Sequence, residues 1–149
     1  MSTKKRAALH AELTRQIRQF IAGAILFNQK VADREGLSLT DMQCMSVLDL
    51  LGPSTPGKLA EYTGLTTGGV TVMLDRLERA GYVKRERNPK DRRSVLVHVN
   101  PKKLERMSPY YAEINEQMEK LLSEMTVSDV EIVVEFLSRA NSIRTDGGL

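Results

Sequence analysis

The sequence is poor in the residues that bind metals or form cross-links. It has one cysteine, Cys44, no tryptophan, and two histidines, His10 and His98, which lie far apart. One cysteine excludes an internal disulfide and a multi-cysteine metal site, and two distant histidines do not make a zinc site by themselves. We therefore expect neither a bound metal nor another cofactor.

Long apolar runs are also absent. The longest, FIAGAILF, has eight residues, whereas a membrane-spanning helix needs about 20. The N-terminal segment MSTKKRAALHAELTRQ carries charges but lacks the apolar core of a signal peptide. These absences predict a cytoplasmic protein.

The usual constellations of an enzyme are missing as well. The sequence has no paired carboxylates in a cleft-like context, no nucleophile with an available base, and no glycine-rich phosphate loop followed by lysine. We therefore do not expect an enzyme.

Charge is present, and it is distributed unevenly. The 149 residues suit one domain, 1–149, and the net charge is only +3. However, eight cations and three acids lie between Arg76 and Arg93, whereas four cations and nine acids follow from Leu104 onward. The middle segment is therefore suited to bind an anion such as nucleic acid, and the C-terminal part is not.

Apolar residues at steps of three and four predict a mainly α-helical chain. A long amphipathic helix is expected over 8–33, and two further helices are expected over 101–143. Pro109 lies inside the first of these two helices and should kink it. Residues 144–149 are expected to form a frayed end.

A helix-turn-helix pattern occupies residues 55–80. Before it, a helix should begin at Thr40, which has capping-box spacing to Gln43. Thr55 then caps a short helix, and the segment EYTGLTT leads into the second helix of the pair. The apolar face of that second helix is expected to comprise Val70, Met73 or Leu74, Leu77 and Ala80.

The second helix starts with small residues, namely Thr66, Thr67, Gly68, Gly69 and Thr71. Two glycines in a first helical turn cost about 1 kcal/mol each relative to alanine. They could bring the backbone close to DNA, because a helix N-terminus attracts phosphate and small side chains let the helix enter a major groove. They could equally make a tight helix–helix contact. The glycines alone do not decide between these two interpretations.

The period changes to two over residues 82–99, where YVKRER and SVLVHV form strands joined by an NPKD turn. A basic hairpin directly after such a helix is a wing, and a narrow A·T-rich minor groove attracts arginine. Asp91 should point the same way as Arg93 and hold its guanidinium. The alternative is a solvated charged turn. The agreement of helix pair, hairpin and local charge favours DNA binding.

The segment LTTGGVTVMLDRLERAGYVKRERNPKDRRSVLVHV resembles the core of transcription factors of the MarR (multiple-antibiotic-resistance regulator) family. Its specific marks are a threonine-rich helix that runs into LDRLERAGYVKR, followed by an Asp-Arg-Arg wing. The resemblance extends over essentially the whole chain. It implies a mainly α fold with a small β-hairpin wing, in which a winged helix-turn-helix lobe, 38–99, lies between dimerisation helices, 8–33 and 101–143.

The same resemblance implies a function. It implies a homodimer that binds a palindromic operator in double-stranded DNA, usually as a repressor, and is released by a small aromatic effector or by oxidation. Such a protein would lie in the cytoplasm, at the nucleoid.

Site residues follow from the resemblance by position. Arg76 and Arg85 would hold phosphates, and Arg93 is the best candidate to enter the minor groove. Val72 lies where many relatives have arginine, so one direct base contact is missing. The full predicted DNA-binding set is Thr66, Thr67, Gly68, Gly69, Thr71, Arg76, Arg85, Arg87, Lys90, Asp91, Arg92 and Arg93.

Aromatic residues and methionines could line an effector cleft between the dimer helices and the DNA-binding lobe, although core packing also explains each of them. These residues are Phe20, Phe27, Met45, Met107, Tyr110 and Tyr111. Cys44 raises the alternative of a redox-responsive regulator, but its neighbours are apolar and no nearby cation would stabilise a thiolate. A second alternative is a winged-helix module whose basic wing binds an acidic protein.

Overall fold

A computed structural model describes residues 3–143, so the predicted frayed end, 144–149, lies outside the described residues. The predicted fold class, mainly α with a small β-hairpin, is confirmed. In chain order the elements are α1 (Thr3–Glu35), α2 (Leu39–Leu51), α3 (Pro56–Thr63), α4 (Thr67–Arg79), β1 (Val83–Arg87), β2 (Val95–Val99), α5 (Pro101–Ser123) and α6 (Val127–Asn141).

The chain divides into two compact units, Met1–Met42 and Gln43–Leu149, and the boundary falls inside α2. The first unit consists mostly of α1, which is longer at both ends than the predicted 8–33. Val31 and Ala32, near its C-terminal end, are buried. Much of its apolar stripe is exposed, including Leu9, Leu13, Phe20, Ile21, Ile25 and Leu26.

The second helix starts earlier than predicted. Ser38 is its cap: the Ser38 backbone N–H donates to Asp41 Oδ2 at 2.8 Å, and the Asp41 N–H donates to Ser38 Oγ at 3.1 Å. The predicted pair Thr40 and Gln43 is therefore wrong, because a carboxylate is a stronger hydrogen-bond acceptor than an amide oxygen. The helix ends before Gly52, whose φ of 79° lies in the left-handed region that favours glycine.

The core of the second unit lies between α2, α3, α4 and the hairpin. Its buried apolar side chains are Cys44, Met45, Leu48, Leu59, Val70, Met73, Leu74, Leu77, Tyr82, Val83, Val97 and Met107. The predicted apolar face of α4 is therefore confirmed at Val70, at both Met73 and Leu74, and at Leu77. It is wrong at Ala80, which is exposed because α4 ends at Arg79 and Ala80 is its cap.

The hairpin pairs β1 and β2 antiparallel, in a register that runs from Val83 opposite Val99 to Arg87 opposite Val95. The segment before α3 adds a short bridge to β2. The Ser54 N–H donates to the Val97 carbonyl at 3.2 Å, and the Val97 N–H donates to the Ser54 carbonyl at 2.8 Å. This bridge fixes the start of the helix-turn-helix beside the wing.

The two C-terminal helices carry large exposed apolar surfaces. The helix α5 continues through Pro109, and α6 begins with a capping box formed by Thr126 and Asp129. None of the α6 residues is buried.

Within residues 3–143, no helix has the length and apolar character needed to cross a membrane. The same range contains no cluster of three or more His, Cys, Asp or Glu residues suited to a metal ion.

Candidate nucleic-acid interface

The helix-turn-helix is built by local caps. Thr55 Oγ1 accepts the Lys58 N–H and starts α3, as predicted, with Pro56 at the first helical position. Gly64 ends α3 at φ 69°, a left-handed conformation that a residue with a side chain rarely adopts. Thr66 then caps α4, and its Oγ1 accepts the Gly69 N–H at 3.1 Å. The two caps and the turn between them therefore fix where each helix begins and where α3 ends.

The glycines of α4 are not there for helix–helix packing. A Cβ added at Gly68 would meet nothing within 4 Å, so this position faces open space. A Cβ at Gly69 would lie 3.3 Å from Thr66 Oγ1 and 3.5 Å from Leu65 Cβ, both in the preceding turn. The packing alternative raised by the sequence is therefore wrong at both positions. The first turn of α4 instead presents bare backbone outward at Gly68.

Two threonine hydroxyls at this end of α4 have defined roles within the helix. Thr66 Oγ1 accepts a backbone N–H, so its own O–H can still donate to another molecule. Thr71 donates its O–H to the Thr67 carbonyl at 3.1 Å, so it offers lone pairs and a methyl group outward. Thr66, Thr67 and Thr71 are all exposed. Thr66 and Thr71 therefore differ in the hydrogen bonds that they can offer to another molecule.

The wing tip is an ordered loop rather than a continuation of the strands. Asn88 Nδ2 donates to Ser94 Oγ at 2.9 Å, and the Asn88 and Ser94 backbones are linked by an N–H to carbonyl bond of 3.1 Å. The Lys90 N–H donates to Asn88 Oδ1 at 3.0 Å, and the Ser94 N–H donates to the Asp91 carbonyl at 3.1 Å. These bonds fix the backbone of residues 88–94 without using any cationic side chain.

Asp91 does not hold the guanidinium of Arg93 as the sequence predicted. Its Oδ1 accepts the backbone N–H of Arg93 at 3.0 Å. The prediction assumed that both residues lie on one strand, where they would point the same way, but both lie in the tip loop. Asp91 therefore orders the loop as an Asx turn, and the Arg93 side chain is left to project from it.

The cations of the tip are exposed. Lys90, Arg92 and Arg93, together with Arg87 at the end of β1, are all solvent-exposed. No ion pair with any of these four side chains occurs in the part of the chain that the structure describes. None of these four cations is thus paired with a carboxylate within residues 3–143.

Arg85 differs from these cations because it reaches back to α4. Its guanidinium forms an ion pair with Asp75, and its Nε lies 3.2 Å from Glu78 Oε2 without hydrogen-bond alignment. The Arg85 N–H also donates to Glu78 Oε1 at 2.8 Å. The hydrogen bond that the Arg85 guanidinium donates to Asp75 raises the pKa of Arg85 further above its usual value.

Arg85 therefore joins the wing to α4, the candidate recognition helix, whereas the sequence predicted a phosphate contact for Arg85. That phosphate contact stays a prediction, and the structure adds Asp75 and Glu78 as residues that position the wing. Sequence spacing gave no sign of them, because Arg85 lies ten residues from Asp75 and seven from Glu78. Arg76 is exposed on α4, as a phosphate contact would require.

The other face of the hairpin carries its own charge pairs. Lys84 pairs with Glu86, and His98 Nε2 lies 3.3 Å from Glu86 Oε2. The Lys84 ammonium holds the pKa of Glu86 below its usual range. These pairs lie on the face opposite Arg85 and Val97, so they leave the link between wing and α4 undisturbed.

The six candidate effector residues do not share one environment. Met45 and Met107 are buried, and burial raises the pKa of the half-buried Tyr111. Phe27 and Tyr110 are half-buried, whereas Phe20 is 69% exposed.

A pocket of about 630 Å³ lies between the end of α5 and α6, and none of the six candidate effector residues lines it. Its lining residues are Leu122, Met125, Val127, Val130, Glu131, Val134, Glu135, Ser138 and Arg139.

Comparison with known proteins identifies regulators of one kind. A family model described as the MarR family matches residues 37–95. The uncharacterized HTH-type transcriptional regulator YcgE of Bacillus subtilis is 35% identical over 144 residues, which cover 96% of this chain and 94% of that protein.

Solved structures show the same fold at lower identity. NadR in complex with 4-hydroxyphenylacetate superposes with a TM-score of 0.67 at 18% identity, covering 89% of this chain and 94% of that one. A variant of E. coli MarR complexed with operator DNA gives a TM-score of 0.54 at 21% identity, with 87% and 93% covered.

Proposed function

Since the chain belongs to the MarR family, we propose that it is a homodimeric repressor that binds a palindromic operator and leaves it when a small aromatic effector binds. The family predicted from the sequence is confirmed. The chain is a DNA-binding transcriptional regulator, and its relatives are regulators rather than enzymes. The proposal adds to this the dimer, the form of the operator, the sign of regulation and the effector.

The observation that carries the proposal is the uncompensated charge of the wing tip. Lys90, Arg92 and Arg93 are exposed on a loop whose backbone is fixed by Asn88 and Asp91. Cations held close together repel one another, and a neighbouring polyanion removes this cost. The phosphates of a DNA backbone, whose negative potential is concentrated in a narrow minor groove, supply the dense negative charge that would balance these cations.

The start of α4 supports entry into the major groove. Gly68 presents backbone without a side chain, and Thr66 and Thr67 present hydroxyls beside the helix N-terminus. Exposed N–H groups and the helix dipole both favour a phosphate at this position. We propose these residues, with Gly69, Thr71, Arg76 and the wing cations, as the DNA-binding surface.

Exposed apolar faces support dimerisation. α6 leaves Val127, Ile132, Val134, Leu137 and Phe136 between 42% and 78% exposed, and α1 leaves a comparable stripe uncovered. Contiguous apolar surface of this kind marks an interaction site. In a two-fold dimer, two recognition helices about 34 Å apart would fit successive major grooves of a palindrome.

The effector and location are also proposals. NadR was solved with 4-hydroxyphenylacetate, and we propose a ligand of the same class, a small aromatic acid, for this chain. Its candidate contacts remain Phe20, Phe27, Met45, Met107, Tyr110 and Tyr111.

We propose the cytoplasm, at the nucleoid, as the place where the protein acts. Cys44 is completely buried, which gives no support to the redox-responsive alternative.

Salt dependence tests DNA binding. Purified protein is used for genomic footprinting, and the recovered site is titrated by fluorescence anisotropy beside a scrambled duplex. A dimer that neutralises 6–10 phosphates should lose about 10³- to 10⁵-fold in affinity between 50 and 200 mM salt. The operator should bind at least about 10³-fold more tightly than the scrambled duplex. A protein-interaction module would show neither selectivity nor a footprint.

Replacing Gly68 with alanine should separate folding from binding. The added Cβ meets nothing within 4 Å, and alanine is a better helix former by about 1 kcal/mol. We therefore expect the free energy of unfolding to rise by up to that amount, while operator affinity falls because the methyl group keeps the backbone from the DNA. Urea denaturation and anisotropy measure the two quantities. Unchanged affinity in a more stable protein would show that Gly68 does not approach DNA.

A further inference from the structure

One apolar side chain of the recognition helix stays uncovered. Val72 on α4 is 63% exposed, whereas the other large apolar side chains of this helix, Val70, Met73, Leu74 and Leu77, are buried. Val72 therefore contributes nothing substantial to the core. Valine is also a poorer helix former than the arginine, lysine or glutamate that a solvent-facing helix position ordinarily carries.

Helical geometry places Val72 in the middle of the candidate DNA surface. Residues four apart form a row on a helix, so Val72 lies between Gly68 and Arg76. Both of these neighbours are exposed, and a Cβ at Gly68 would have no contact. If the first turn of α4 enters the major groove and Arg76 holds a phosphate, Val72 lies between them, opposite the base edges.

The neighbouring side chains limit what this part of the helix can read. Thr71 donates its hydroxyl proton to the Thr67 carbonyl, so it would have to give up that bond to donate to a purine N7 or O6. Val72 has no polar atom. Bidentate recognition of guanine or adenine needs Arg, Lys, Asn or Gln, and the exposed positions from Thr66 to Val72 carry none of these residues.

One feature of the major groove matches an exposed isopropyl group, namely the 5-methyl group of thymine. We propose that Val72 contacts the methyl group of one thymine in each half-site and so selects A·T at that position. This inference rests on the proposed operator binding and names the base-reading chemistry of that surface. Valine in place of arginine at this position then changes which base pair is preferred.

The test removes the methyl group from DNA and its partner from the protein. In the footprinted operator, each thymine is replaced in turn by deoxyuridine, symmetrically in both half-sites, which deletes only the 5-methyl group. Wild type, Val72→Ala and Val72→Thr are titrated against the series. The burial of one methyl group predicts a loss of about three- to fivefold for each half-site at one position in wild type. The loss should be smaller in Val72→Ala, whose shorter side chain reaches less far, and Val72→Thr, which keeps one of the two methyl groups, should lie between Val72→Ala and wild type.

The possible outcomes separate the two proposals. A methyl-sensitive thymine that is equally sensitive in Val72→Ala, or an operator with no methyl-sensitive thymine, would overturn the role of Val72 alone. A protein that prefers no duplex sequence would overturn the proposed function and this inference with it. Because Val72 is exposed, both variants should unfold at the wild-type temperature. Val72→Thr keeps the branched shape of the side chain and serves as the second variant should Val72→Ala fail to fold.

Discussion

Removing the three wing-tip cations should lower operator affinity on the order of a thousandfold while the melting temperature stays unchanged. The triple variant is Lys90→Ala, Arg92→Ala and Arg93→Ala. A contact between a basic side chain and DNA contributes about 1–3 kcal/mol, and three contacts of about 1.4 kcal/mol each amount to three orders of magnitude in affinity. Anisotropy titrations at several salt concentrations measure the affinity. The slope of log affinity against log salt should also become shallower by about 0.9 for each phosphate that the variant no longer neutralises.

The fold should survive because the tip is not held by these side chains. Its backbone is fixed by Asn88, Asp91 and Ser94, whose bonds use main-chain atoms of the substituted residues. A matched control removes three exposed cations from α1, Lys4, Lys5 and Arg6, and so makes the same change in net charge. An equal loss of affinity in this control would mean that total charge, and not the wing, attracts DNA.

The features of the fold that depend on a few neighbouring residues were predictable from the sequence. The predicted cap Thr55 accepts the backbone N–H of Lys58, three residues away, so the pattern that identifies it lies within four residues. Gly64 follows the same logic, because the turn after α3 needs a positive φ that glycine adopts freely. The β-hairpin was predictable because the spacing of apolar residues changes from the helical period to two.

Two predictions were wrong at the boundary of an element, where the sequence pattern allows more than one assignment. Both Ser38 with Asp41 and Thr40 with Gln43 have capping-box spacing, and the sequence pattern does not rank a carboxylate above an amide. For Asp91, alternation along a strand was assumed where the chain forms a loop, so a backbone bond was mistaken for an ion pair. Each error concerns where an element ends, which is the least certain part of any sequence pattern.

The link between wing and recognition helix was beyond sequence reasoning. Asp75 and Glu78 lie on the polar face of α4, where charged residues usually meet only solvent. Their contact with Arg85 depends on how β1 lies beside α4, which is a matter of tertiary packing, and Val83 of β1 and Leu77 of α4 are both buried. Composition also does not distinguish a buried Met45 from an exposed Phe20, so the six effector contacts stay a prediction.

Introducing a carboxylate on the uncovered face of α6 should abolish dimerisation and, with it, tight operator binding. Leu137 is 51% exposed, and its helical neighbours Val133 and Val134 are exposed as well. Leu137→Glu should therefore leave each subunit folded. In a two-fold dimer the substitution places two unpartnered carboxylates in an apolar interface, and each buried charge without a partner costs about 3 kcal/mol or more. The dimer dissociation constant should rise at least about a hundredfold.

Loss of the dimer has a larger consequence for DNA than for the protein. Two linked recognition surfaces bind a palindrome about 10²- to 10⁴-fold more tightly than one surface alone, so affinity should fall by about that factor although the DNA-binding surface itself is unchanged. Sedimentation velocity and anisotropy measure the two effects together. Ser128→Glu, which adds the same charge at an exposed polar position of the same helix, should alter neither. If Leu137→Glu remained dimeric and bound the operator normally, the apolar face of α6 would not be the surface through which two subunits meet.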